Sequence, residues 1–252
     1  MFYPMLMCTL AGLSTGLGAF VVTAAKGITK ERMSIAQGFA AGVMITISVM
    51  DLIPQSFKRY CGYMTQAGAI KSVAILFICG CVAGIAISEL PDKTVAELDG
   101  DMAEIRRSGV ITTLVMILHN LPEGMLTMFT GVRDLSFGLR TTLAVTLHNL
   151  PEGMAIAAPV YYTTNDEKKA FVQSLFAGMA EPAGGIMAWR LLKKIMSASF
   201  LNGFLPVTAG IMCRAAALEL IPTATKISKA GYAALGFVCG VAVMLAGLAV
   251  LG

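Results

Sequence analysis

Charge is what this sequence has least of. Asp, Glu, Lys and Arg make up 13% of its 252 residues, about half the share of a soluble domain. That deficit excludes an ordinary water-soluble chain and places this one in a lipid bilayer. The net charge of +4 is spread thin, which excludes a nucleic-acid partner. The six cysteines, Cys8, Cys61, Cys79, Cys81, Cys213 and Cys239, form no CxxC pair. Most lie in apolar runs and read as small apolar residues. The opening MFYPMLM lacks the basic residues of a signal peptide and reads as the start of a membrane helix.

Long apolar runs are what the chain does have. A spanning helix needs about 20 mainly apolar residues. Eight such segments are expected, near 3–25, 33–57, 72–90, 110–131, 139–162, 170–191, 204–224 and 231–251. The expectation is an all-α polytopic membrane protein, residues 1–252 forming one transmembrane domain. The longest connection, 91–109, is acidic and then basic and reads as a solvated loop. An even number of spans puts both termini on one side. With the termini outside, the inner loops hold ten Lys or Arg and the outer loops eight, so the positive-inside rule leans to that orientation.

Internal repeats carry more information. AGVMITISVMDLIPQS (41–56) resembles AGIMCRAAALELIPTA (209–224), FICG (77–80) resembles FVCG (237–240), and AGLSTGLGA (11–19) resembles AGMAEPAGG (177–185). The offsets are 168, 160 and 166. The first three segments therefore read as a copy of the last three, running the opposite way through the membrane. The two central segments repeat each other, because LHNLPEGM occurs at 118–125 and at 147–154. The expected architecture is 3+2+3, an inverted repeat of the kind found in alternating-access transporters.

Only two histidines occur, His119 and His148, both in the repeated motif. Asp51, Glu123, Glu152, Glu181 and Glu219 are also expected inside spans. A carboxylate at mid-bilayer costs about 2.5–3.5 kcal/mol on insertion scales, so each needs a cavity, a partner or an ion. His119 and Glu123 are spaced i, i+4 and share a helix face, with Asn120 on its flank. Pro122 frees the carbonyl of Leu118. His148, Asn149, Pro151 and Glu152 repeat the arrangement. Two antiparallel copies face to face bring two imidazoles and two carboxylates together, a mixed nitrogen and oxygen set suited to Zn²⁺. Asn120, Asn149 and Glu181 offer an oxygen-rich pocket beside it, bridged by the shared carboxylates and tolerant of Mn²⁺, Fe²⁺ or Cd²⁺.

Plainer readings stand beside these. The histidines can be buried residues bonded between helices, and Glu181 a protonated carboxyl held by a carbonyl. Asp51 and Glu219, matched by the inverted repeat, line an entry and an exit or simply end helices before Pro54 and Pro222. Arg214 pairs with a carboxylate or reaches for the interface.

With these residues in hand, the chain resembles the ZIP (Zrt/Irt-like) family of divalent metal transporters, in its GufA-type branch. The likeness rests on HNLPEG twice, AEPAGG at 180–185, and the AG-[VI]-M…[DE]-L-I-P blocks. It implies eight helices, both termini outside a plasma or inner membrane, and a homodimer. It implies a binuclear centre with His119, Glu123, His148 and Glu152 on one ion, and Asn120, Glu123, Asn149, Glu152 and Glu181 on the other. It implies no resident cofactor: Zn²⁺, with Fe²⁺, Mn²⁺, Co²⁺ or Cd²⁺, is cargo moved toward the cytoplasm. An elevator-like motion has been proposed for relatives. Two departures stand out. Segment 91–109 has no histidine, and Leu218 stands where some relatives have a histidine before the glutamate.

Two rivals follow from the same residues. An intramembrane metalloenzyme needs HExxH, and here Asn follows each His. A metal sensor or receptor needs no second, symmetric face.

Overall fold

The computed structural model describes residues 1–24, 27–88, 100–190 and 198–251. Residues 91–99 of the expected loop, and Lys26, Lys193 and Lys194 of the loop charges, lie outside them. Helices account for nearly all of the described chain, and no strand occurs among the described residues. They are α1 (Phe2–Thr23), α2 (Lys30–Ile47), α3 (Ile53–Cys61), α4 (Gln66–Ser88), α5 (Asp101–Arg133), α6 (Leu135–Thr164), α7 (Glu167–Gly178), α8 (Ala180–Arg190), α9 (Ala198–Ala215), α10 (Ile221–Ile227) and α11 (Ala230–Leu251).

The distribution of side chains is that of a protein solvated by lipid. Large apolar residues stand on the outside, among them Leu10, Leu17 and Phe20 of α1, Ile78 and Val82 of α4, and Val238 and Val243 of α11. Polar and ionisable residues are buried, including both histidines, Glu152 and Glu181. In water this would be upside down. Among the described residues, six helical stretches are long and apolar enough to cross a membrane: Phe2–Thr23, Lys30–Cys61, Gln66–Ala86, Met102–Arg133, Asn202–Ile227 and Ala230–Val250. The expected spans 139–162 and 170–191 are not among them. The first lies in α6, which carries Arg140, His148 and Glu152. The second is broken into α7 and α8.

Three of the differences from the sequence expectation have a local reason. The helix expected from 110 begins at Asp101. MAEIRR is made of good helix formers, and Ile105 is buried. The break after Gly178 falls four residues before Pro182, whose ring has no N–H to give to that carbonyl. The expected 33–57 segment runs on to Cys61 and contains a π-turn at Ser48–Leu52, just before Ile53–Pro54. A second π-turn, Ala216–Leu220, precedes Ile221–Pro222. Each proline would strike the carbonyl four residues back, at Met50 or Leu218. A wider turn relieves that clash, and such turns cluster at functional sites.

Close helix contacts obey the sequence offsets. A Cβ on Gly42 would strike the carbonyl of Phe237, and one on Gly210 that of Phe77. Gly240 and Gly80 stand in the same way against Phe39 and Val207. Around the central pair, Gly18 lies on the Leu150 carbonyl and Gly184 on that of Leu121, while Gly153 lies on Thr15 and Gly124 on Glu181. Gly12 and Gly178 lie on each other. Each contact has its counterpart at the expected offset, and each needs a residue without a side chain so that two backbones can touch.

Candidate metal centre

One residue, Asp134, separates α5 from α6. Its carboxylate caps α6 by accepting from the Phe137 N–H at 2.8 Å. His119 lies fifteen residues before this turn and His148 fourteen after it. At 1.5 Å per residue both rings therefore sit about 21–23 Å from the turn, at the same depth. A one-residue connection leaves the helices antiparallel and adjacent, so the two HNLPEG motifs must meet.

They meet crosswise. His119 Nε2 is 2.9 Å from Glu152 Oε1, and His148 Nε2 is 3.1 Å from Glu123 Oε2. Each imidazole pairs with the carboxylate of the other motif. Each also lies within electrostatic reach of the carboxylate of its own. His119, Glu152, Asn120, Asn149 and Glu181 are fully buried, and His148 and Glu123 nearly so. No three His, Cys, Asp or Glu side chains among the described residues form a ready cage for a metal ion. The four chelating groups are instead drawn into two hydrogen-bonded couples. Ligands about 2.0–2.1 Å from a tetrahedral ion stand about 3.3 Å apart. Within each couple, an opening of a few tenths of an ångström would give that ligand spacing.

The tautomer of His119 explains why something positive belongs between it and Glu152. His119 Nδ1 donates to the Val115 carbonyl at 3.1 Å. A neutral ring with its proton on Nδ1 turns a bare lone pair on Nε2 toward a carboxylate oxygen. A proton or a metal ion must stand there.

The flanking amides point the same way. Asn149 Nδ2 donates to the Ala11 carbonyl at 2.9 Å and also to Glu181 Oε1. Asn120 Nδ2 donates to the Ala177 carbonyl at 3.3 Å. Both amide nitrogens are thus tied to neighbouring backbone. Asn120 Oδ1, Asn149 Oδ1, Glu152 Oε2, Glu181 Oε2 and Thr15 Oγ1 are buried with no hydrogen-bond partner. Orphaned buried oxygens are costly, and oxygens of this kind are the donors a hard cation takes.

A cavity of about 610 Å³ reaches this centre from the Asp134 end. Glu123 and His148 line its floor, and Asp51, Gln55, Arg59 and Arg140 its walls. Asp51 Oδ1 accepts from Gln55 Nε2 at 2.7 Å, Arg59 donates to Gln55 Oε1 at 3.3 Å, and Arg59 also donates to Asn202 Oδ1 at 3.2 Å. Asp51 therefore faces the cavity. Glu219 does not line it; its carboxylate is 3.0 Å from Arg214 Nη1, which accounts for that arginine. At the far end side chains bridge α2 to α6 and α5 to α10. Ser108 and Thr223 share a hydrogen bond at 2.9 Å, Gln37 donates to the Ala155 carbonyl at 2.8 Å, and Lys226 pairs with Glu104.

Thr15 has no chemical signature of its own in the sequence. The offset of 166 that matches 11–19 to 177–185 sets Thr15 against Glu181, and that was the signal available.

Comparison with known proteins shows the family. Residues 88–247 match the family described as ZIP Zinc transporter. A zinc transporter ZupT of Streptococcus mutans is 35% identical over 98% of this chain and 97% of its own length. One from Chlorobium phaeovibrioides is 37% identical over 99% and 98%. One from Clostridium perfringens is 34% identical over 96% and 94%.

Proposed function

As the chain belongs to the ZIP zinc transporter family, we propose that it carries Zn²⁺ across the plasma membrane through the crosswise His–Glu centre. It is an integral membrane protein and a transporter of divalent metal ions, not an enzyme. The observation that carries the mechanism is the pair of crosswise His–Glu couples, one of which, His148–Glu123, forms the floor of a cavity. An ion entering past Asp51 first meets His148 and Glu123. It then displaces the protons between rings and carboxylates and takes both couples as ligands. Asn120, Asn149 and Glu181, with Glu123 and Glu152 shared, hold a second ion.

In this reading α6 and the α7–α8 pair also cross the bilayer. That makes eight spans, arranged 3+2+3 in a single domain over 1–252, with both termini outside and a homodimer as the assembly. The Asp134 end is then the outer face. The cavity is the outward-open half of an alternating-access cycle, and transport runs toward the cytoplasm. Ser108–Thr223, Gln37–Ala155 and Glu104–Lys226 form the closed inner gate. Asp51 serves the entry. Glu219, held by Arg214, serves the exit. The matched contacts of the two halves support the inverted repeat.

The test is radiolabelled zinc uptake by the purified protein in proteoliposomes, with Fe²⁺, Mn²⁺, Co²⁺ and Cd²⁺ as competitors. Accumulation above empty vesicles is expected. Zinc that binds and never enters the lumen would make the protein a sensor or receptor instead.

A further inference from the structure

Thr15 of α1 occupies the place that Glu181 occupies in α8. Three sets of contacts establish the equivalence. Gly153 lies on the Thr15 carbonyl as Gly124 lies on that of Glu181. Asn149 donates to Ala11, one turn before Thr15, as Asn120 donates to Ala177, one turn before Glu181. Gly12 and Gly178 touch each other midway.

The hydroxyl itself stands unpaired, as those of Thr112 and Thr127 also do. Thr15 is fully buried, and its Oγ1 has no hydrogen-bond partner. A helical threonine commonly bonds the carbonyl four residues back, as Thr46 does with Gly42 and Thr142 with Gly138. For Thr15 that carbonyl belongs to Ala11, and Asn149 holds it. The Thr15 hydroxyl lies instead against Gly178, 2.9 Å from where a Cβ there would sit. The neighbouring Ala177 carbonyl is the one that anchors Asn120. Thr15 Oγ1 and the Asn120 amide so converge on one turn of α7, much as Glu181 and Asn149 converge across the symmetric side.

We propose that the Thr15 hydroxyl is a further oxygen donor to the second ion, facing Glu181 across it. The inference rests on the binuclear reading above. With Asn120, Asn149, Glu123, Glu152 and Glu181 it completes a set of six oxygen-bearing residues. Such a set suits hard octahedral ions such as Mn²⁺ better than Zn²⁺. A neutral hydroxyl in place of a second carboxylate keeps the pocket one negative charge weaker than full symmetry would make it.

The experiment uses the purified full chain, loaded with one equivalent of Zn²⁺ and titrated with Mn²⁺. Free Mn²⁺ is followed by electron paramagnetic resonance. Thr15→Val keeps the shape and removes the donor; Thr15→Ser keeps the donor. Thr15→Val is expected to weaken Mn²⁺ binding about tenfold or more, about 1.4 kcal/mol, with Zn²⁺ binding unchanged and Thr15→Ser restoring it. Wild-type Mn²⁺ affinity in Thr15→Val, or equal loss in Thr15→Ser, overturns the assignment to the hydroxyl. A wild-type chain that never binds a second ion removes the binuclear reading and this inference together. Thr15→Cys is an independent arm. Its soft sulfur is expected to favour Cd²⁺ over Mn²⁺ at the second site, and an unchanged preference counts against Thr15.

Discussion

His119 of the first HNLPEG motif is bonded to Glu152 of the second, Nε2 to Oε1 at 2.9 Å, and not to the glutamate of its own motif. The consequence is that neither motif is a site alone. Glu152→Ala is expected to reduce zinc uptake to the level of empty vesicles. The double variant His119→Ala, Glu152→Ala is expected to be no worse, because the two residues act as one unit. Uptake rates of the four members of that cycle decide the matter. Near-normal transport by Glu152→Ala would reject the centre.

Protons and metal ions compete for the same ring nitrogens. A metal ligand must be unprotonated. Zinc uptake is therefore expected to fall as the outer medium is acidified and to recover on return to neutrality. Rates measured across that range should drop most steeply at low zinc, where competition is strongest. A flat profile would count against histidine ligation.

The end opposite the cavity has to open for an ion to leave. Ser108 and Thr223 lie 2.9 Å apart, hydroxyl to hydroxyl. Cysteines at both positions, oxidised to a disulfide, are expected to stop transport, and a reductant to restore it. Meanwhile a cysteine at Thr208, which lines the cavity, is expected to react with a polar thiol reagent applied from outside and to be shielded by zinc. Full transport through the oxidised pair would show that the gate lies elsewhere.

Gly124 and Gly153 test whether the motif glycines serve packing. In a free helix, Gly→Ala is favourable by up to about 1 kcal/mol. Here the added methyl would strike the carbonyl of Glu181 or of Thr15. Gly124→Ala and Gly153→Ala are expected to lower stability by about 1–3 kcal/mol and to abolish transport. Gly231→Ala, with nothing within 4 Å, is expected to change neither. Thermal unfolding in detergent reads the difference.

Much of the centre is legible in the sequence because duplication and spacing are one-dimensional facts. Two motifs almost equidistant from Asp134 must meet at one depth, and an i, i+4 His and Glu must share a face. The pairing itself is not legible. Whether His119 takes Glu123 or Glu152 depends on how two helices are rotated about their axes. The start of α5 at Asp101 was hidden by charge, since MAEIRR reads as loop when only apolar runs are counted. The π-turns were hidden for a different reason. Prolines at 54 and 222 announce a disturbance, and only the carbonyls of Met50 and Leu218 decide its form. Thr15 was hidden by its chemistry, being as ordinary in a membrane helix as the glycines around it.

The glycine contacts also sort the helices by stiffness. Wherever a described glycine lies on the backbone of another helix, it joins members of the group α1, α5, α6, α7 and α8, or joins α2 to α11, or α4 to α9. None lies on backbone across the boundary between the first group and the rest. There the grip is by side-chain reach, as in Gln37 to Ala155, Ser108 to Thr223 and Glu104 to Lys226. Backbones pressed together have no rotamers to yield, whereas a side-chain hydrogen bond can be exchanged for water at about 1 kcal/mol. Under thermal load the molecule should shear along that boundary, with the group α1, α5, α6, α7 and α8 moving as one rigid piece.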